Sequence, residues 1–187
     1  MFCFTVGEYR VSVSNTFPSL FWEYHKKARI VEHIGDVTAE NTFVILVAKG
    51  NAWPFLILIL HVSVGEESGF NPGVFLLPET QTLFIGAGEI LLIYHLEREQ
   101  KIWEERIMGG FWGWHYVEPF VLLSAEIELS IWNKEGERLW ETFVEPPWSY
   151  ELEGDVIKVF YSNETRYYRL QDGTEVEQGN ERGKKQG

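Results

Sequence analysis

Cysteine is almost absent: Cys3 is the only one in 187 residues. That excludes a disulfide framework and a thiolate metal cage, and a reducing cytoplasm is the compartment such usage fits. Aspartate is scarce as well. Only Asp36, Asp155 and Asp172 accompany 25 glutamates, and without clustered Asp and Asn there is no calcium loop to read. The five histidines, His25, His33, His61, His95 and His115, include no pair at i, i+2 or i, i+4. Those are the spacings that put two imidazoles on one metal within an element. Basic residues are few, and the net charge is −12. Such a chain repels phosphate backbones, so nucleic-acid binding is not expected.

Export, membrane and nucleophile signals are missing too. The opening MFCFTVGEYR has no basic n-region and no long apolar segment, so no signal peptide is read. The most apolar stretch, residues 43–64, is interrupted by Lys49, Gly50, Asn51 and Pro54. Its run from Ala52 to Leu60 is too short to span a bilayer and reads as part of a hairpin of two buried strands. There is no G-x-S-x-G elbow, and Cys3 at the very start is a poor nucleophile. The glycines of IGAGE, residues 85–89, join two strands, and no Lys-Ser/Thr pair follows them, so they are not a phosphate loop. No cofactor, metal ion or catalytic residue is implied.

What the chain does have is apolar and aromatic mass. Hydrophobic residues make up 45% and aromatics 16%, with eight Trp, which rules out a disordered chain and supports one domain with a real core. Strand patterns dominate. Phe2–Val6 and Tyr9–Val13 flank Gly7-Glu8, a Gly-first pair suited to a tight hairpin turn. Phe43–Ala48 and Phe55–Val64 are continuous apolar runs, the mark of strands covered on both faces. Only Pro18–Ile34 invites a helix, with Leu20, Phe21, Tyr24, Ala28 and Val31 roughly on one face and Pro18 in the first turn. The Ile30-Val31 pair fits a strand equally well. The expected architecture is one all-β domain over residues 1–172, an antiparallel meander of stacked hairpins with at most one N-terminal helix. Residues 173–187, polar and Gly-rich, read as a frayed tail.

An internal repeat is visible. Residues 84–103, FIGAGEILLIYHLEREQKIW, lie over residues 121–140, VLLSAEIELSIWNKEGERLW, without a gap at an offset of 37. Glu89 falls on Glu126, Ile90 on Ile127, Leu92 on Leu129 and Trp103 on Trp140. A fainter copy places Gly173 on Gly136. The acidic-Gly turn followed by a strand ending in Trp, NKEGERLW, resembles the blade repeat of quinoprotein-like β-propellers over roughly residues 80–177. The resemblance implies stacked antiparallel blades; no residues match those that bind the quinone, so it implies no cofactor. A twisted meander or sandwich accounts for evenly recurring hairpins as well. In either fold Trp103 and Trp140, each closing a unit on its apolar phase, are expected to be largely buried.

GGFWGWHYVEP, residues 109–119, is the densest aromatic segment. Strand alternation puts Trp112, Trp114 and Tyr116 on one face and Phe111, Gly113, His115 and Val117 on the other. Burying such rings hides roughly 150–250 Å² each, so core packing is one reading. The other is a half-exposed platform shared with Trp148 and Tyr150. Glu126 and Glu128 alternate on one face of AEIELS, a spacing that suits acid–base chemistry but also a solvated strand, and Glu126 is tied to Glu89 by the repeat. His115 shares its expected face with no group able to activate an imidazole and is not expected to be catalytic. The functional expectation is a cytoplasmic, non-enzymatic, acidic module that binds another protein, with a basic partner such as a toxin suiting the charge. A small-ligand or carbohydrate binder using Trp112, Trp114, Tyr116, Trp148 and Tyr150 is the alternative, and an unrecognised hydrolase a more distant third.

Overall fold

In the first sheet the continuous apolar runs become strands covered on both faces, as their composition requires. The computed structural model describes residues 2–63 and 69–176. The first sheet contains β1 (Phe2–Val6), β2 (Tyr9–Ser14), β3 (Ile30–Gly35), β4 (Asn41–Lys49) and β5 (Leu56–Val62) in the order β1-β2-β4-β5-β3. All its pairings are antiparallel except β3 with β5, which is parallel. Val6 pairs with Tyr9, leaving Gly7-Glu8 as the hairpin turn. One face carries Phe43, Ile45, Val47, Leu56, Leu58 and Leu60. The other carries Val44, Ile57 and Ile59, and on it sits α1 (Phe21–Lys27), which buries Phe21. Both readings of Pro18–Ile34 therefore hold in part. The helix is short because the backbone is already extended at Ala28, and the β-branched Ile30-Val31 pair opens β3.

Three further sheets follow as antiparallel meanders in chain order. The second holds β6 (Gly73–Leu77), β7 (Thr82–Ala87), β8 (Ile90–His95) and β9 (Gln100–Arg106). The third holds β10 (Phe111–Val117), β11 (Phe120–Ala125), β12 (Glu128–Trp132) and β13 (Arg138–Phe143). The fourth holds β14 (Ser149–Glu153), β15 (Val156–Phe160) and β16 (Thr165–Arg169). The sheets stack face to face in sequence order, each interface a separate apolar cluster. Leu83, Ile85, Ile90 and Leu92 face the first sheet, while Phe84, Leu91 and Ile93 on the same strands face the third. Leu122, Leu129 and Ile131 meet Ile157, Val159 and Tyr168 between the third and fourth. The result is all-β, propeller-like stacking of successive meanders.

The repeat is a repeat of structure. Moved by 37, the bounds of β7, β8 and β9 fall within one residue of those of β11, β12 and β13. Three turns share a left-handed residue at the same phase: Glu99 (φ 52), Gly136 (φ 88) and Gly173 (φ 69). Each leans on the preceding sheet. A Cβ on Gly136 would stand 2.6 Å from Cγ2 of Ile93, and one on Gly173 2.7 Å from the Trp140 ring. Glu99 instead accepts Arg29 Nε at 2.8 and 2.9 Å. The 37-residue period thus encodes how one sheet seats on the one before it.

Trp103 and Trp140 pack against the apolar clusters, partly buried rather than fully enclosed. Both lie on the outermost strand of a sheet, where one flank of each ring stays open. Trp103 meets Trp132 edge to face at 5.4 Å, and Trp140 Nε1 donates to the Leu170 carbonyl at 2.8 Å. Of the expected tail, residues 173–176 lie along β16: the Arg169 N–H donates to the Thr174 carbonyl and the Val176 N–H to that of Tyr167. Residues 177–187 lie outside the described residues.

Candidate functional site

A β-bulge decides the faces of β10. Phe111 pairs with Ala125 and Gly113 with Ser124, so Trp112 is the extra residue and the alternation inverts there. Phe111, Trp114 and Tyr116 consequently face the second sheet. The Phe111 ring fills a notch over Gly73 and Gly86, where a Cβ would come within 2.6 and 2.2 Å of it. Trp114 meets Phe84 at 5.3 Å and Tyr116 meets Phe75 at 5.7 Å. Trp112 turns the other way and stacks on Trp148 at 5.2 Å, Tyr150 lies 6.1 Å beyond, and His115 meets Tyr150 edge to face. Three of the five expected platform residues, Trp112, Trp148 and Tyr150, therefore come together. Trp114 and Tyr116 do not join them, because the bulge sends them into the interface between the second and third sheets.

The row is narrower than a platform. Trp148 is 7% exposed and its Nε1 donates to the Glu126 carbonyl at 3.0 Å; burial pushes the Tyr150 phenol above its ordinary range. Trp112, at 44%, is the ring left open. At the 37-residue offset Trp148 corresponds to Phe111, so both are plugs at the entry of a sheet.

The glutamates divide by role. Ser63 donates its N–H to both carboxylate oxygens of Glu89 at 3.1 Å, and Gly110 donates to Glu126 Oε2 at 3.3 Å. These repeat-equivalent carboxylates hold the segments that lead into the second and third sheets. Glu128 is different. Its Oε1 is buried with no hydrogen-bond partner among the described residues, and Arg138 Nη1 stands 4.0 Å away. Arg138 is held elsewhere: its guanidinium lies over Trp103 and Trp132 at 5.0 and 5.5 Å and reaches Glu105 at 2.8 Å and Glu141 at 2.5 Å. One cation thus faces three carboxylates. Burial, reinforced by Glu105 and Glu141, holds the Glu128 carboxyl above the usual carboxylate range, against the opposing pull of Ser130 and Arg138.

Beside this network is a cleft of about 160 Å³ lined by Met108, Ile127, Glu128, Glu141, Thr142 and Phe143. Met108 and Phe143 form its open rim, 74% and 64% exposed. At the other end of β13 a more polar groove runs past Glu79, Glu97, Glu135 and Glu137, with Arg98 and Lys101. Residues 79–155 carry sixteen acidic and five basic side chains, so nearly all of the net charge of −12 resides there. Sequence spacing gave no sign of this cleft. Glu105 and Glu128 belong to different sheets, and only stacking brings them to one arginine.

Two of the histidines meet across strands. The parallel pairing of β3 and β5 brings His33 Nδ1 to 3.4 Å from His61 Nε2, with Thr42 Oγ1 at 3.3 Å from the other nitrogen of His61. Burial, then His33, lowers the His61 pKa, with Asp36 opposing. Among the described residues no group of three or more His, Cys, Asp or Glu is placed to hold a metal ion. No helix among them is long and apolar enough to cross a membrane.

No protein-family model matches the chain, and neither does any curated protein. Among solved structures it is similar to BamB from Moraxella catarrhalis, at 12% identity and a TM-score of 0.43 over 81% of this chain and 50% of that one. It is also similar to Hsv2p from Kluyveromyces lactis, at 12% identity and a TM-score of 0.41 over 71% of this chain and 41% of that one. Both are β-propellers. The chain spans half or less of the length of either, and its propeller-like character rests on its own sheets and their interfaces.

Proposed function

We propose that this chain is a non-enzymatic binding module that captures a basic protein partner through the acidic cleft at the outer mouth between its second and third sheets. The observation that carries this reading is the imbalance at Arg138: one guanidinium faces Glu105, Glu128 and Glu141. A lysine or arginine from a partner entering beside Glu128 supplies the missing cation and a donor for the unpartnered Oε1. The surrounding excess of carboxylates speeds the encounter with a positively charged surface. A basic toxin is one partner of this class. The cleft volume of about 160 Å³ lies below the ~300–1,000 Å³ usual for small-molecule sites, which favours a single side chain over a free ligand. A small aromatic or sugar ligand on Trp112 is the second reading, supported by that ring's exposure.

The test is fluorescence anisotropy with a labelled peptide containing several Lys and Arg and a counterpart carrying Glu in their place. The protein is expected to bind the basic peptide alone, with affinity falling steeply between 50 and 500 mM salt. The triple variant Glu105→Gln, Glu128→Gln, Glu141→Gln is expected to lose tenfold or more. Binding that ignores both salt and the triple substitution would overturn the reading.

A further inference from the structure

We infer that the outer edge of β13 is a docking strand that takes an extended segment of the basic partner by β-strand addition, with basic and apolar side chains alternating along one face of that segment, two positions apart. The inference rests on the basic-partner reading and adds the mode and the sequence pattern.

Strand β13 ends its sheet, and among the described residues nothing pairs with its far side. The Val144 N–H donates to the Ile127 carbonyl, and Leu129 faces Thr142 and Ile131 faces Trp140 in the ladder. By antiparallel alternation the backbone groups of Glu141 and Phe143 therefore point away from β12, towards the open side. Natural edges of this kind are guarded by charge. The repeat supplies its own control: at the offset of 37, Glu141 corresponds to Glu104 and Phe143 to Arg106 on β9. Edge β9 keeps its guard, and Lys101 there is ion-paired to Glu104 and to Glu32 of the first sheet, both at 2.6 Å. On β13 the arginine is replaced by an exposed phenylalanine, with exposed Met108 beside it and Leu139 on the same strand.

Charge complementarity fixes the occupant. A strand laid along β13 sets one side chain beside Glu141, over the cleft lined by Glu128, whose Oε1 lacks a hydrogen-bond donor among the described residues, and the side chain two residues along sets against Phe143 and Met108. The first must be lysine or arginine and the second apolar. Beyond Arg138 the same line runs into the turn bearing Glu135 and Glu137, where further basic residues fit. Main-chain hydrogen bonds supply affinity and alternate side chains supply specificity in this mode.

The probe is a capped octapeptide in which lysine and valine alternate along one face, Lys-Thr-Val-Thr-Lys-Thr-Val-Thr, compared with the same peptide carrying glutamate for lysine and with a block peptide of the same composition, Lys-Lys-Thr-Thr-Thr-Thr-Val-Val. Binding is followed by anisotropy and by amide hydrogen exchange on the full chain. The alternating basic peptide is expected to bind at least tenfold tighter than either control and to slow exchange at the amides of Glu141 and Phe143. Phe143→Arg, which restores the guard seen on β9, is expected to weaken it tenfold or more. Glu141→Pro, which removes one outward N–H and leaves the ladder to β12 intact, is expected to do the same. Equal binding of the alternating and block peptides, or protection confined to other strands, overturns strand addition and leaves the acidic-cleft reading standing. Failure of every basic peptide overturns both. Protection of the same two amides without peptide, rising with protein concentration, shows that a second copy of the chain occupies the edge and overturns the choice of partner.

Discussion

Phe111 and Trp112 are chain neighbours with opposite fates, and the difference is one bulged residue. Phe111 is fully enclosed over two glycines, while Trp112 is 44% exposed and stacked on Trp148. Phe111→Ala is therefore expected to cost about 3–5 kcal/mol in urea unfolding, the penalty for a large cavity that its rigid neighbours cannot close. Trp112→Ala is expected to cost about 1 kcal/mol, the scale of one aromatic pair. Similar losses at the two positions would mean that the bulge lies elsewhere. Glu128 gives a prediction with a defined sign. Its folded-state pKa is raised, chiefly by burial, so the associated stability is full below the unfolded value, roughly 4.3. It is lost as pH rises through the folded value. Glu128→Gln is accordingly expected to melt higher than the parent protein at pH 7.5, with the difference closing as pH falls to 4. A variant that melts lower at pH 7.5 would show that the ionised carboxylate holds the mouth together.

At the scale of the element, the repeating left-handed turn is the joint between sheets. Gly136 and Gly173 meet that role in two ways, by positive φ and by lying against Ile93 and Trp140. Gly154 is the control, since it has a positive φ (64) but nothing within 4 Å of a built Cβ. Gly154→Ala is expected to cost about 1–2 kcal/mol, the left-handed penalty alone. Gly136→Ala and Gly173→Ala are expected to cost more, because a buried methyl pressed against a packed neighbour forces it to shift. If chemical denaturation gives all three the same loss, these turns do not carry the sheet-to-sheet contact.

For the whole molecule, each apolar cluster between sheets joins two consecutive sheets among the described residues, so stability is distributed along a line. The distribution is uneven. The cluster between the first two sheets holds twenty buried side chains and that between the last two holds nine. Sheet one is also closed by α1 on its far face, whereas the far face of sheet four carries Glu151, Lys158 and Tyr167. Native-state hydrogen exchange is expected to open β14–β16 at lower free energy than β4 and β5. Exchange of all these strands at one common free energy would instead make the stack a single cooperative unit.

Local composition and period were enough to determine that the chain is all-β, that β4 and β5 lie in the interior, and that two successive units share a 37-residue plan. Those features follow from alternation and apolar runs, which act between near neighbours in sequence. The pairing of Glu89 with Glu126 as structural carboxylates was legible for the same reason. Three features were decided only by tertiary structure. The bulge at Trp112 is a register choice made against β11, and it divided the expected aromatic platform between two interfaces. The His33–His61 contact required β3 to enter the first sheet parallel to β5, a long-range choice that no spacing encodes. The acidic cleft required Glu105 of one sheet to meet Glu128, Arg138 and Glu141 of the next, and that juxtaposition exists only once the two sheets have stacked.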